Sequence, residues 1–202
     1  VIWWATEAMP IPVTALLPMV LFPLLSVSTI REASQPYGDP VIFLFMGGFI
    51  LALGLEKYNL HQRIALNLIR ITGTSGNGIT LGFMLSTALI SMWISNTATA
   101  VMMLPIATSV TALLAKEMGK QDDPEFKKFA TGLMLSIAYA ASIGGIATII
   151  GTPPNVVMVG FMKRFYDLDV SFVKWMAVGI PLMILVLASC YFLITKVLFR
   201  NQ

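Results

Sequence analysis

ISNTATAVMMLP, residues 94–105, lies near the middle of a stretch without a single charge from Ile71 to Ala115. A lipid-facing helix gains nothing from Ser95, Asn96 and Thr97 side by side at its centre, because each polar group in hydrocarbon needs a partner. Length sharpens the question. As one helix, residues 79–115 would extend about 55 Å at 1.5 Å per residue. A hydrocarbon core is only about 30 Å thick, and tilt does not absorb the excess. The run must be broken or folded back, and the three polar residues mark the place.

The same problem returns further along. Residues 129–162 would make a helix of about 50 Å, and this run carries SIGGIATIIGTPPN at 142–155. Breaker residues again sit where geometry requires an interruption. Around these runs the composition is that of a membrane protein: 57% hydrophobic and 11% charged, against roughly 25% charged in soluble domains. The net charge of +3 comes from cations placed between apolar runs, where they orient a chain in the bilayer. No basic stripe with interleaved aromatics is present, so nucleic acid is not an expected partner. Cys190 is the single cysteine, which excludes an intrachain disulfide.

Residues 11–28 form an apolar helix punctuated by Pro12, Pro18 and Pro23, followed by a polar turn at 31–40 and a second span at 41–55. Residues 59–72 differ. Leu60, Ile64, Leu68 and Ile71 recur at helical spacing, with His61, Arg63, Asn67 and Arg70 on the other side. That pattern predicts a helix lying in the membrane surface. The glycine-rich stretch at 72–78 lets the chain turn, and 175–199 forms one further span. VIWWATEAMP at 1–10 lacks the basic region and cleavage site of a signal peptide; it reads as the tail of a span, and the chain as a fragment.

Cation counting chooses a topology for the first long run. If residues 77–115 enter and leave on one face, that side holds Lys57, Arg63, Arg70, Lys116, Lys120, Lys127, Lys128, Lys196 and Arg200. The other side holds Arg31, Lys163, Arg164 and Lys174, a split of nine to four. A crossing would give seven to six. The positive-inside rule selects a re-entrant hairpin over 77–115 that opens to the cytoplasm. The fold expected is therefore an all-α integral membrane protein with a re-entrant helical hairpin and a broken transmembrane helix over 129–162.

Two interrupted elements then meet near mid-membrane. Ser95, Asn96 or Thr97 can cap the returning half-helix. In the second element Thr152 can cap and Pro153 suits the first helical position, where no N–H is needed. Gly144, Gly145 and Gly151 permit backbone conformations that other residues resist. Two helix N-termini aimed at one place would suit an anion, while Ser and Asn oxygens and freed carbonyls would suit a small hard cation. Plainer readings stand beside this one: the triplet satisfies a helix break, GTPPN kinks a helix, and Ser91, Thr99, Thr108 and Thr111 bond back to their own helices. Met84, Met92, Met102 and Met103 read as core filler. Broken midplane helices are nonetheless a known design of substrate sites in secondary transporters.

Three motifs, WWATEAMPIPVTALLP at 3–18, SMWISNTATAVMMLPIA at 91–107 and SIGGIATIIGTPPN at 142–155, resemble the N-terminal half of the divalent anion/sodium symporters, carriers of di- and tricarboxylates or sulfate. The resemblance implies one of two inverted-topology repeats, the C-terminal half being absent. It implies that Ser95, Asn96 and Thr97 contact a substrate carboxylate, and that Ser91, Ser95, Asn96 and the backbone at Gly144 enclose Na+. Gly145, Thr148, Gly151, Thr152 and Pro153 would lie near the site. It further implies scaffold-type spans and the interfacial helix over 1–72, a transport-type unit over 73–162, and a connecting segment with a span over 163–202. The expected function is Na+-coupled symport of C4-dicarboxylates such as succinate by alternating access, in a multi-pass homodimer of the plasma or inner membrane.

The absence of Lys and Arg from both broken elements has a physical reason under this reading. A permanent cation would hold a dianion too firmly, whereas a departing Na+ releases it. Alternatives are a Na+-independent exchanger of the same family and half of an ion channel, although no continuous polar stripe favours a pore. An intramembrane enzyme needs a nucleophile with a base, and no His, Asp, Glu or Lys accompanies the serines.

Overall fold

The computed structural model describes residues 2–119 and 123–199; Lys120 and Arg200, two of the cations counted above, lie outside them. Every regular element among the described residues is helical. The chain divides into two compact units, Val1–Met46 and Gly47–Gln202.

In the first unit, α1 (Ile2–Ala5) ends before Glu7, which takes a left-handed backbone with φ of 48°. Helix α2 (Ile11–Leu24) carries a proline in its first turn and Pro18 and Pro23 inside it. The segment expected as a polar turn at 31–40 is mostly helical: α3 spans Ile30–Ser34 and a tighter turn spans Gln35–Gly38. A capping box explains it. The Glu32 N–H donates to Thr29 Oγ1 at 3.3 Å, and the Thr29 N–H donates to Glu32 Oε2 at 2.9 Å. This is the T-x-x-E signal of a helix start. The Tyr37 hydroxyl donates to the Ala15 carbonyl at 2.7 Å and ties the turn to α2.

Helix α4 (Pro40–Lys57) carries the chain into the second unit, whose helices are α5 (Leu60–Thr72), α6 (Gly76–Ser91), α7 (Asn96–Glu117), α8 (Pro124–Gly144), α9 (Pro153–Tyr166) and α10 (Phe172–Phe192). Helix α6 is its centre. Phe83 faces a core shared with Ala65 of α5, Met103 and Ala107 of α7, and Leu133 and Ile137 of α8. Met84 and Ala88 face a second core with Ala140 and Ile143 of α8 and Met183 and Leu187 of α10. The methionines at 84, 92 and 103 are buried in these cores and Met102 packs against the first.

Contact with α6 decides which side of α5 turns inward. A Cβ on Gly82 would meet Thr72 Oγ1 at 2.7 Å and Ile69 Cα at 2.8 Å, so only glycine lets the two backbones approach this closely. The buried side of α5 therefore holds His61, 5% exposed, and Ala65, while Ile71 is 79% exposed. The periodicity had placed His61 with the polar residues and Ile71 with the apolar ones. A neighbouring helix, not the hydropathy of α5 alone, sets the face.

Among the described residues three segments, Ile30–Lys57, Asn96–Met118 and Phe172–Leu198, are long and apolar enough to cross a membrane. The last combines α10 with a more widely wound stretch, Leu193–Leu198. Val101 and Leu113 on α7 and Val178, Ile184 and Leu185 on α10 are exposed, an apolar surface better suited to lipid than to water.

Candidate functional site

Helix α6 stops at Ser91 and α7 starts at Asn96. Ser95 is the N-cap of α7: its Oγ accepts the Ala98 N–H at 3.3 Å and its carbonyl accepts the Thr99 N–H at 2.9 Å. The amide groups of Asn96 and Thr97 have no acceptor among the described residues. They are the orphan donors of a helix start. Thr97 is exposed and Ser95 and Asn96 are half-buried, so this end of the helix is open.

Ser91 does not bond back to its own helix. Its Oγ donates to the Ala141 carbonyl of α8 at 2.6 Å and lies 2.8 Å from Asn96 Oδ1. A hydroxyl has one proton, so three oxygens from α6, α7 and α8 converge around a single hydrogen. The backbones are equally close. A Cβ on Gly144 would collide with the Ala88 carbonyl oxygen and come within 2.6 Å of Ala88 Cα, and one on Gly145 would fall on Asn96 Oδ1.

Helix α8 ends at Gly144 and α9 begins at Pro153. Thr148 links this interruption to the other, its Oγ1 donating to the Met92 carbonyl and accepting the Gly151 N–H at 3.0 Å. A Cβ on Gly151 would meet Gly145 Cα at 2.9 Å, so the segment folds tightly on itself. Thr152 occupies the N-cap position, but its hydroxyl makes no capping bond, contrary to the role read from the sequence. The reason lies in the prolines. Pro154 has no N–H at the second helical position, and the Asn155 N–H at the third is taken by the Thr152 carbonyl at 3.1 Å. The start of α9 thus offers an anion a dipole but few donors. The donors come from α7.

The structure therefore brings together Ser91, Asn96, Gly144, Gly145, Thr148 and Gly151. The Ser95 hydroxyl is turned to its own helix, and Pro153 opens α9 in the position expected of it. Asn155, unassigned by the sequence reading, is the buried tie: its Nδ2 donates to the carbonyls of Gly145 at 2.9 Å and Thr148 at 2.8 Å. The only signal was its place at the end of GTPPN. Thr108 and Thr111 bond back to α7 as expected, at 2.9 Å and 3.0 Å. Thr99 differs, being buried with no partner for its Oγ1. No group of three or more His, Cys, Asp and Glu is assembled among the described residues. A cation here would be met by neutral oxygens.

The sequence profile of a family described as "Citrate transporter" matches residues 1–202. Two relatives from Staphylococcus aureus, strains USA300 and NCTC 8325, are each named "Sodium-dependent dicarboxylate transporter SdcS". Each is 42% identical over 201 residues, covering 99% of this chain and 39% of the relative's length. The chain thus spans about two fifths of the relatives it matches. With three long apolar segments, this is a multi-pass membrane protein of a transporter family, not an enzyme family. On a match over its whole length, the chain belongs to the citrate transporter family.

Proposed function

We propose that the chain is the N-terminal half of a secondary transporter that couples Na+ to the uptake of C4-dicarboxylates such as succinate. The observation that carries this reading is the convergence of Ser91 Oγ, Asn96 Oδ1 and the Ala141 carbonyl around one proton. Neutral oxygens gathered this closely are the ligands a small hard cation takes. Na+ would be held by Ser91, Ser95, Asn96 and the Gly144 carbonyl. Its charge would lie beside the open start of α7, where the Asn96 and Thr97 amides and the Thr97 hydroxyl receive a substrate carboxylate. When Na+ leaves, the dianion loses its counter-charge and follows. Binding is thereby linked to the gradient without a fixed cation in the site.

In this account residues 77–115 form the re-entrant hairpin, 129–162 the broken transmembrane helix, and 1–72 the scaffold-type spans with α5 as the interfacial arm. Alternating access moves the 73–162 unit between the two faces, in a homodimer of the plasma or inner membrane. The naming of the Staphylococcus aureus relatives as sodium-dependent dicarboxylate transporters supports sodium and dicarboxylate together.

Two expected results test it. In the full-length protein, Ser91→Ala and Asn96→Ala each raise the half-saturating Na+ concentration by about tenfold or more, the loss of one interaction with a charged group. Met102→Leu, a volume-conserving swap, leaves it unchanged. Unaltered sodium dependence in both site variants would mean that the residues only cap helices, and uptake indifferent to Na+ in the parent would favour the exchanger. For the topology, single cysteines at Thr74 and Met118, in a background from which Cys190 and every other native cysteine have been replaced, are labelled by an impermeant maleimide from the same face. Labelling from opposite faces contradicts the hairpin.

A further inference from the structure

From Gly144 to Thr152, where α8 gives way to α9, five backbone carbonyls accept hydrogen bonds, and one of the donors comes from α10. The Gly144 carbonyl accepts the Ala147 N–H at 3.1 Å, and Asn155 serves those of Gly145 and Thr148. The Ile146 carbonyl accepts the indole N–H of Trp175, in the first turn of α10, at 3.0 Å. One turn on, a Cβ at Gly179 would lie 2.9 Å from both the Ile146 and the Ala147 carbonyl oxygens. Met183, a further turn along the same face, shares a core with Ala147. One face of α10 is therefore seated on this segment.

The peptide plane makes the contact specific. The Ile146 carbonyl and the Ala147 N–H belong to one rigid peptide unit, so the two groups turn together. Trp175 grips the carbonyl end, and the N–H end donates to the Gly144 carbonyl. We infer that Trp175 is a positioning residue for the cation site: by fixing this peptide it holds the Ala147 N–H on the Gly144 carbonyl, and with it the turn at Gly145 against which Asn96 rests. The inference builds on the sodium reading above. Helix α10 then takes part in the site, and is more than a connecting span. Without the indole N–H, the Ile146–Ala147 peptide keeps only the Ala147 N–H bond to Gly144, and the turn that carries the Gly144 and Gly145 backbone loosens.

The test uses full-length protein in proteoliposomes, with Trp175 replaced by phenylalanine and, separately, by benzothienylalanine, which keeps the bicyclic ring and replaces N–H by sulfur. Both variants are expected to raise half-saturating Na+ by about three- to tenfold, the range of one lost hydrogen bond. The dicarboxylate KM at saturating Na+ stays within about twofold, because the substrate meets α7 and not α10. Hydrogen exchange in the peptide covering 145–152 rises in both variants. A parent-like sodium curve in the benzothienylalanine protein overturns the inference. If the parent itself shows no sodium dependence, the sodium reading fails on its own, and exchange decides the rest: faster exchange at 145–152 upholds the clamp, and unchanged exchange removes it.

Discussion

Gly145→Ala is expected to abolish sodium-driven uptake in a protein that still folds. The new Cβ would fall on Asn96 Oδ1, with Asn96 Cγ and Nδ2 each 3.0 Å away. These atoms end a short side chain that can swing aside at small cost, so the backbone survives. The carboxamide, however, would leave Ser91, and the shared oxygen cluster would open. Loss of that arrangement should shift half-saturating Na+ by more than about tenfold, as for a hydrogen bond to a charged group. The neighbouring Gly144→Ala should behave differently. Its Cβ meets the Ala88 backbone, which cannot swing away, so the penalty is overpacking of about 1–3 kcal/mol in stability. Thermal unfolding in detergent together with uptake separates the two: loss of uptake without loss of stability at 145, and loss of stability at 144. A Gly145→Ala protein with the parent sodium curve would show that Asn96 is not a ligand.

Asn155→Asp is expected to be more damaging than Asn155→Ala. Alanine leaves the buried Gly145 carbonyl without its Asn155 donor, a loss of about 1–3 kcal/mol, and leaves the Thr148 carbonyl only a long bond from the Gly151 N–H at 3.4 Å. An ionised aspartate does this and also turns acceptor oxygens toward two carbonyl oxygens. Both variants should lower the unfolding temperature, in the order parent, alanine, aspartate, and both should lose uptake. Equal stability of all three would mean that the segment between α8 and α9 holds its shape without this side chain.

What was legible in the sequence was local. An N-cap among Ser95, Asn96 and Thr97, Pro153 at the first helical position and an interruption inside each long run follow from short-range rules of capping and proline chemistry. The capping box at Thr29 and Glu32 was equally local and was passed over, because the polar composition of 31–40 suggested a turn. What escaped was long-range. Ser91 reaches a carbonyl fifty residues away, and nothing in its own helix announces that partner. The silence of the Thr152 hydroxyl depends on two prolines and on the Asn155 N–H acting together. The inward face of α5 depends on Gly82 of a different helix. Trp175 opens the apolar span at 175–199, and its bond to the Ile146 carbonyl joins residues 29 positions apart.

The central claim is that sodium and a dicarboxylate share the site built from α6, α7 and the end of α8. Uptake of radiolabelled succinate into proteoliposomes of the full-length protein, with an inward Na+ gradient or an equal K+ gradient, tests it most directly. Concentrative uptake with Na+, none with K+, and a right-shifted sodium curve in Ser91→Ala are the results this account requires. Equal uptake in both salts, or movement only by exchange against internal dicarboxylate, would contradict it.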